Sequence, residues 1–214
     1  QLWIDESARS GPENMAVDEW LLTHAESLVL RVYRWEENWG SLGYFGSIAE
    51  ARETFPGLNW VRRWTGGGLV DHRDDWTYTL VVPIGDPLAR LRGAESYRLI
   101  HGALGRVLKS DGVQLSAGHQ ATGASACFEN PVEHDLVDAA GRKRAGAGQR
   151  RTKTGLLHQG SVGGWMEIEP SCERAGALAA ALAPEVRDFK EQPSAEEIGR
   201  LEKRYREAGW TERR

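Results

Sequence analysis

Residues 59–64 and 76–82 are two runs rich in aromatic and β-branched side chains, and between them stand three consecutive glycines, Gly66, Gly67 and Gly68. Runs of that composition read as strands. A triple glycine between strands removes every side chain where backbone and ligand could approach closely. Arg62 and Arg63 close the first run, where a guanidinium could hold a phosphate or a carboxylate. The stretch is not a P-loop, because no Gly-Lys-Ser or Gly-Lys-Thr follows it. A tight turn with surface arginines is the plainer alternative.

Residues 28–35 and 41–46 also read as strands, bounded by Gly and Asn. Spacing predicts an amphipathic helix over 12–26, with Pro12 in its first turn and Val17, Trp20 and Leu21 on one face. Tyr97, Ile100, Leu104, Val107 and Leu108 predict another over 94–111, ended by Gly112. Residues 113–169 break into short apolar pieces among glycines, which suits strands and functional loops. Two more helices are expected over 175–182 and 194–208. The second is capped by Ser194 with Glu197 three residues on, and its charges make a solvated face. Helices and strands neither alternate strictly nor separate, so the expected class is α+β, a mixed sheet with packed helices. Without repeats or a long linker, residues 1–214 are expected to form one domain.

A net charge of −4 gives no electrostatic case for nucleic acid. No apolar run approaches the roughly 18 residues that span a bilayer. The start, Gln1-Leu2-Trp3-Ile4-Asp5, lacks the basic and apolar regions of a secretion signal. Cys127 and Cys172 are too few for a disulfide framework and belong to no cluster with metal-ligand spacing. No metal site and a reducing cytoplasm are therefore expected, where a cysteine is ordinarily a small buried hydrophobe.

Two further segments carry chemistry. Ser125-Ala126-Cys127-Phe128-Glu129-Asn130-Pro131 sets Cys127 in a loop, where a thiolate near cations can accept an acyl group and a buried thiol is inert. Gly141-Arg142-Lys143-Arg144-Ala145-Gly146 places one lysine among small residues that leave room for a ligand. Its flanking arginines would lower the lysine pKa. Alone, that segment reads more simply as a flexible basic surface.

Taken together, the segments resemble the biotin/lipoate ligase and octanoyltransferase superfamily. The likeness runs through Asn14-Met15-Ala16-Val17-Asp18, Ser41-Leu42-Gly43-Tyr44-Phe45, Arg62-Arg63-x-Thr65-Gly66-Gly67-Gly68-x-Val70-x-His72, Thr77-Tyr78, Arg142-Lys143-x-Ala145-Gly146-x-x-Gln149-Arg150, Leu157-His158-Gln159-Gly160-Ser161 and Tyr205-Arg206-Glu207-Ala208-Gly209-Trp210. It implies a catalytic domain like those of class II aminoacyl-tRNA synthetases and biotin–lipoate ligases. It also implies Lys143 at an acyl carbonyl and the glycine loop along a lipoyl or octanoyl tunnel. Arg62, Arg63, Gly66, Gly67, Gly68, His72, Asp135, Ala145, Gly146 and His158 are the residues implied around the substrate.

Ala126-Cys127-Phe128-x-x-Pro131 is similar to the cysteine motif of ATP-independent octanoyltransferases, in which the thiol carries the acyl group as a thioester. That reading makes Cys127 and Lys143 catalytic, makes His72 a base for thiol or amine, and requires no cofactor. The donor is then an acyl carrier protein, and the acceptor a lysine of a lipoyl-domain or glycine-cleavage-H-type protein. His134-Asp135-Leu136-Val137 resembles a segment of ATP-dependent lipoate–protein ligases as well. That alternative implies ATP and Mg²⁺, with Asp135 at nucleotide or metal and Cys127 a bystander. A third reading is an acyl-carrier-binding relative without turnover. Arg144 and Gly148 depart from the apolar residue and the alanine usual near the lysine.

Overall fold

Ser10 separates the first strand, Leu2–Arg9 (β1), from the first helix, Gly11–His24 (α1). Its hydroxyl accepts the Glu13 N–H while the Glu13 carboxylate accepts the Ser10 N–H, a reciprocal cap with Pro12 in the first turn. The computed structural model describes residues 1–109, 112–118, 131–163 and 170–213. Within it, α1 is buried on nearly every side rather than amphipathic. One side lies on the main sheet and the other lies under the later helix Ala195–Arg206 (α6). Its polar residues are buried because each is paired. Asn14 donates to the carbonyls of Arg9 and Arg34, Asp18 accepts from Arg31 and Thr79, and Glu19 accepts from Arg204 and the Tyr205 hydroxyl. Two residues of the charged 196–207 stretch, Glu197 and Arg204, thus reach inward to α1, bonding Trp20 and Glu19, instead of forming a purely solvated face.

The other strands are Val29–Trp35 (β2), Trp39–Leu42 (β3), Asn59–Arg62 (β4), Leu69–Asp71 (β5), Asp75–Pro83 (β6), Gln114–Leu115 (β7), Leu136–Val137 (β8), Lys143–Arg151 (β9) and Gly155–Gly163 (β10). Between and after them lie helices Ile48–Thr54 (α2), Pro87–Arg90 (α3), Gly93–Val107 (α4), Pro170–Leu182 (α5) and Ala208–Thr211 (α7). Among the described residues, seven strands form one sheet in the order β1-β2-β6-β10-β9-β8-β7, and three form a smaller one in the order β4-β3-β5. Both sheets are mixed: β1 pairs parallel with β2, β3 parallel with β4, and the remaining pairs are antiparallel. The class is α+β, as expected. The lysine segment is not a surface loop but an interior strand of the sheet. No helix among the described residues is long and apolar enough to cross a membrane.

Alternate residues of β2, β6 and β10 feed the two faces of the large sheet. Leu30, Leu80 and Leu156 meet Ile100 and Leu104 of α4 and Leu178 of α5. Val29, Val81 and Leu157 meet Met15, Val17 and Leu21 of α1 and Ile198 of α6. Each fully buried side chain of this kind stabilises the fold by about 1.5–3 kcal/mol. The fully buried Arg31 ties the α1 face together, bonded to Asp5 at 2.7 Å and Asp18 at 2.8 Å with its guanidinium 4.0 Å from the Tyr33 ring centre. Burial raises the carboxyl pKa of Asp5, but Arg31 and Arg9 outweigh it and hold that pKa below the usual value.

Candidate active site

Because β3 lies between β4 and β5, the glycine turn that joins β4 to β5 must cross the end of β3. Hydrogen bonds from Gly43 N–H to the Gly68 carbonyl and from Tyr44 N–H to the Thr65 carbonyl hold it there. Gly67 sits at φ +97°, a conformation that side chains rarely adopt. The Arg63 guanidinium closes the turn from beneath, donating to the carbonyls of Gly66 at 3.2 Å and Gly68 at 3.0 Å. The Thr65 hydroxyl reaches Gln159 on β10, and Gln159 reaches Asp18 on α1. The turn is thereby fixed to both sheet and helix.

Between this turn and the α1 face of the large sheet lies a pocket of about 370 Å³ including its mouth. Tyr33 and Trp35 of β2, Thr77 of β6, and Gln159 and Ser161 of β10 supply the sheet side. Arg63, Gly67 and His72 supply the turn side, and Gly146, Ala147 and Gly148 of β9 form a nearly bare backbone wall.

His72 is clamped in that lining. Its ring stacks on Trp35 with centres 3.8 Å apart, its Nδ1 meets Asp75 at 2.8 Å, and its Nε2 meets the Ser41 hydroxyl at 2.6 Å. Arg63 donates to the same Ser41 oxygen at 2.6 Å. Arg63 has only protons to give, so the pairing is satisfied when Ser41 O–H turns to His72 Nε2 and His72 Nδ1–H turns to Asp75. Both ring nitrogens are then engaged within the site.

Lys143 begins β9 with its side chain 3 % exposed and its ammonium 2.8 Å from Asp135 Oδ2. A Cβ on Gly146 would collide with Cε and Nζ of Lys143, so the missing side chain lets the ammonium lie against the pocket wall. Asp135 is presented by a turn in which His134 takes φ +70°. Its Oδ2 also accepts the Val132 N–H at 2.7 Å, and its Oδ1 accepts the Tyr97 hydroxyl at 2.5 Å. Among the described residues, Asp135 is the carboxylate paired with Lys143. Arg142 turns to solvent and pairs with Asp138.

The structure thus brings Arg63, Gly67, His72 and Gly146 together around the pocket, with Lys143 and Asp135 where a Gly146 side chain would stand. Other residues implied by the resemblance stand elsewhere. Arg62 is buried away from the pocket and donates to six carbonyls, those of Gly43, Tyr44, Gly46, Trp210, Thr211 and Arg213. Gly66 and Gly68 shape the turn through carbonyls held by Arg63 but do not line the pocket. Ala145 is buried in the core on the α4 side. His158 lies on that side too, between Gln149 and Tyr78, and burial pushes its pKa well below the usual histidine value. Cys127 lies outside the described residues. Among those described, no three His, Cys, Asp or Glu side chains stand where they could hold a metal, and both Asp135 oxygens are already engaged. Sequence reasoning gave no role to Trp35, Asp75 or Tyr97. Ser41, Thr77, Gln159 and Ser161 sat inside or beside the quoted motifs, and that position was their only signal.

Residues 10–181 match the family model described as the lipoyl protein ligase A/B catalytic domain. The chain is 34% identical over 180 residues to octanoyltransferase LipM of Brevibacillus brevis, covering 75% of this chain and 64% of that protein. It is 36% identical over 178 residues to octanoyltransferase LipM of Carboxydothermus hydrogenoformans, covering 78% and 66%. The chain spans just under two thirds of the length of these relatives. A protein from T. acidophilum solved with bound lipoic acid superposes with a TM-score of 0.73 at 18% identity, over 99% of this chain and 98% of that one. At that identity the likeness speaks for the fold alone.

Proposed function

Because the chain belongs to the lipoyl protein ligase A/B catalytic-domain family, we propose that it is an acyltransferase that moves an octanoyl group from an acyl carrier protein to a lysine of a lipoyl-domain or glycine-cleavage-H-type protein. Residues 1–214 act in this reading as one catalytic domain. The observation that carries it is the buried Lys143 ammonium, paired with Asp135 and laid against the backbone wall of the pocket at Gly146. The relatives named octanoyltransferase LipM support the choice of group.

In the first step the Cys127 thiolate attacks the thioester carbonyl of the carrier. A new C–S bond forms, the carrier C–S bond breaks, and the carrier leaves as a thiolate that takes up from solvent the proton Cys127 had released. The Lys143 ammonium stabilises the oxyanion of the tetrahedral intermediate, a donor of a kind that contributes roughly 3 kcal/mol. In the second step the neutral amine of the acceptor lysine attacks the Cys127 acyl group, forming an amide and releasing the thiol. Splitting the transfer in two is the usual role of a covalent nucleophile. Thioester to amide is downhill, so no nucleotide is required. Arg63, Gly67, His72 and Gly146 enclose the acyl chain. Asp135 holds Lys143 rather than a metal or a nucleotide, since its oxygens are bonded to Lys143, Val132 and Tyr97.

Incubation with octanoylated carrier and a lipoyl domain, with and without ATP, tests this reading. Octanoyl-lysine amide should form equally in both. Product only from free octanoate or lipoate, and only with ATP and Mg²⁺, would assign the chain to ligase chemistry instead.

A further inference from the structure

We infer that Tyr97, on helix α4, is a positioning residue for Lys143 and acts on it through Asp135. The inference rests on the acyl-transfer reading for its rate effect but not for its geometry. The Tyr97 hydroxyl stands 2.5 Å from Asp135 Oδ1 and 3.3 Å from the Ala147 carbonyl, so its single proton goes to the carboxylate. Its oxygen accepts the Ala147 N–H at 2.9 Å. The same hydroxyl therefore grips the counter-ion of Lys143 and a residue of the pocket wall.

The consequences follow from counting donors. Asp135 Oδ2 carries Lys143 and the Val132 N–H, and Tyr97 fixes the other oxygen. With both ends held, the carboxylate keeps one orientation toward the Lys143 ammonium. The hydrogen bond from Tyr97 also disperses part of the Asp135 charge, which leaves Lys143 freer to turn toward a developing oxyanion. Burial, and then the Asp135 carboxylate, raise the phenol pKa, so Tyr97 stays a donor across the physiological range. The Tyr97 ring packs on His101 with centres 4.1 Å apart. Tyr97→Phe keeps that contact and deletes only the hydroxyl.

Wild type, Tyr97→Phe, Asp135→Asn and the double variant separate positioning from mere structure. With wild type active on octanoylated carrier, Tyr97→Phe should lower kcat by about tenfold, the loss expected for one hydrogen bond to a charged group, with KM within about twofold. In the double variant, Tyr97→Phe should cost little beyond Asp135→Asn, because the two act in one chain of bonds. A wild-type kcat in Tyr97→Phe, or fully additive losses, would overturn the inference.

A second readout is independent of octanoyl transfer. Acetic anhydride at fixed pH should acetylate Lys143 several-fold more slowly in Tyr97→Phe, because the undispersed carboxylate grips the ammonium harder; peptide mass locates the site. An unchanged or faster rate would overturn the inference even if wild type proved inactive on the carrier. Inactivity of wild type alone would overturn only the acyl-transfer reading.

Discussion

Lys143 is reached by two separate facts of the chain, a strand that buries it and a glycine three residues on that clears its path. Lys143→Ala should lower acyl transfer by about 10²–10³-fold, the usual loss for one oxyanion donor. Lys143→Arg should fail as well, since a planar guanidinium cannot replace a compact ammonium beside Gly146. Arg142→Ala should be mild, because that side chain is 77 % exposed and bonded only to Asp138 among the residues described. Steady-state rates on octanoylated carrier check all three, and a near wild-type rate for Lys143→Ala would place the chemistry elsewhere. Cys172 is exposed at the start of α5, so Cys172→Ser should keep its activity. At this scale the lysine and its small neighbours were legible in sequence. Its partners were not, since Tyr97 and Asp135 are 38 positions apart and meet only through the fold.

The segment 43–46 after β3 and the C-terminal helix α7 are one device at the level of elements. Arg62 fastens both, and the Trp210 indole N–H returns a hydrogen bond to the Arg62 carbonyl at 2.9 Å. Arg62→Met should therefore lower the unfolding free energy by at least about 2 kcal/mol in urea, from lost bonds between a buried charge and backbone. An unchanged midpoint would contradict that role. Gly67→Val should also lower the melting temperature, because φ +97° is strained for any side chain. Gly66→Ala should not, as nothing lies within 4 Å of the added Cβ. The two differential-scanning melts distinguish a turn requirement from a ligand requirement. Caps and periodicity had made α4 and α6 legible, and aromatic and β-branched content had made β2 and β6 legible. By contrast, β1 was hidden by its polar run Glu6-Ser7 and a register shift between Asp5 and Ala8. β9 was hidden by glycines and arginines that pack only because neighbouring strands and Tyr97 satisfy the backbone. The amphipathic reading of α1 failed because a second helix covers its outer face.

At the scale of the molecule, the large sheet has a face toward α1 that bears the pocket and a second face whose core includes two buried histidines. Burial pushes His101 down to about 4 and His158 well below its usual value, so both are neutral in the folded chain. The unfolded chain protonates each near 6.5, so below that pH it binds two protons that the folded chain refuses. Stability is full above about pH 7 and is lost as pH falls from 6.5 toward 4, by about 2 kcal/mol per pH unit near pH 5.5. Urea midpoints between pH 7 and 5, above most carboxylate titration, check this; a flat profile would contradict it. The family and the class were legible because the motifs are local strings of residues. The face on which each side chain falls was not, because strand parity and the bulge between Leu136 and Val137 decide it. The proposed chemistry itself meets its most direct test in intact mass. Mixed with octanoylated acyl carrier protein and no ATP, the chain should gain one octanoyl group, absent in Cys127→Ala. A lipoyl domain added next should remove that group as its own lysine becomes octanoylated. No adduct, together with normal turnover by Cys127→Ala, would contradict the account.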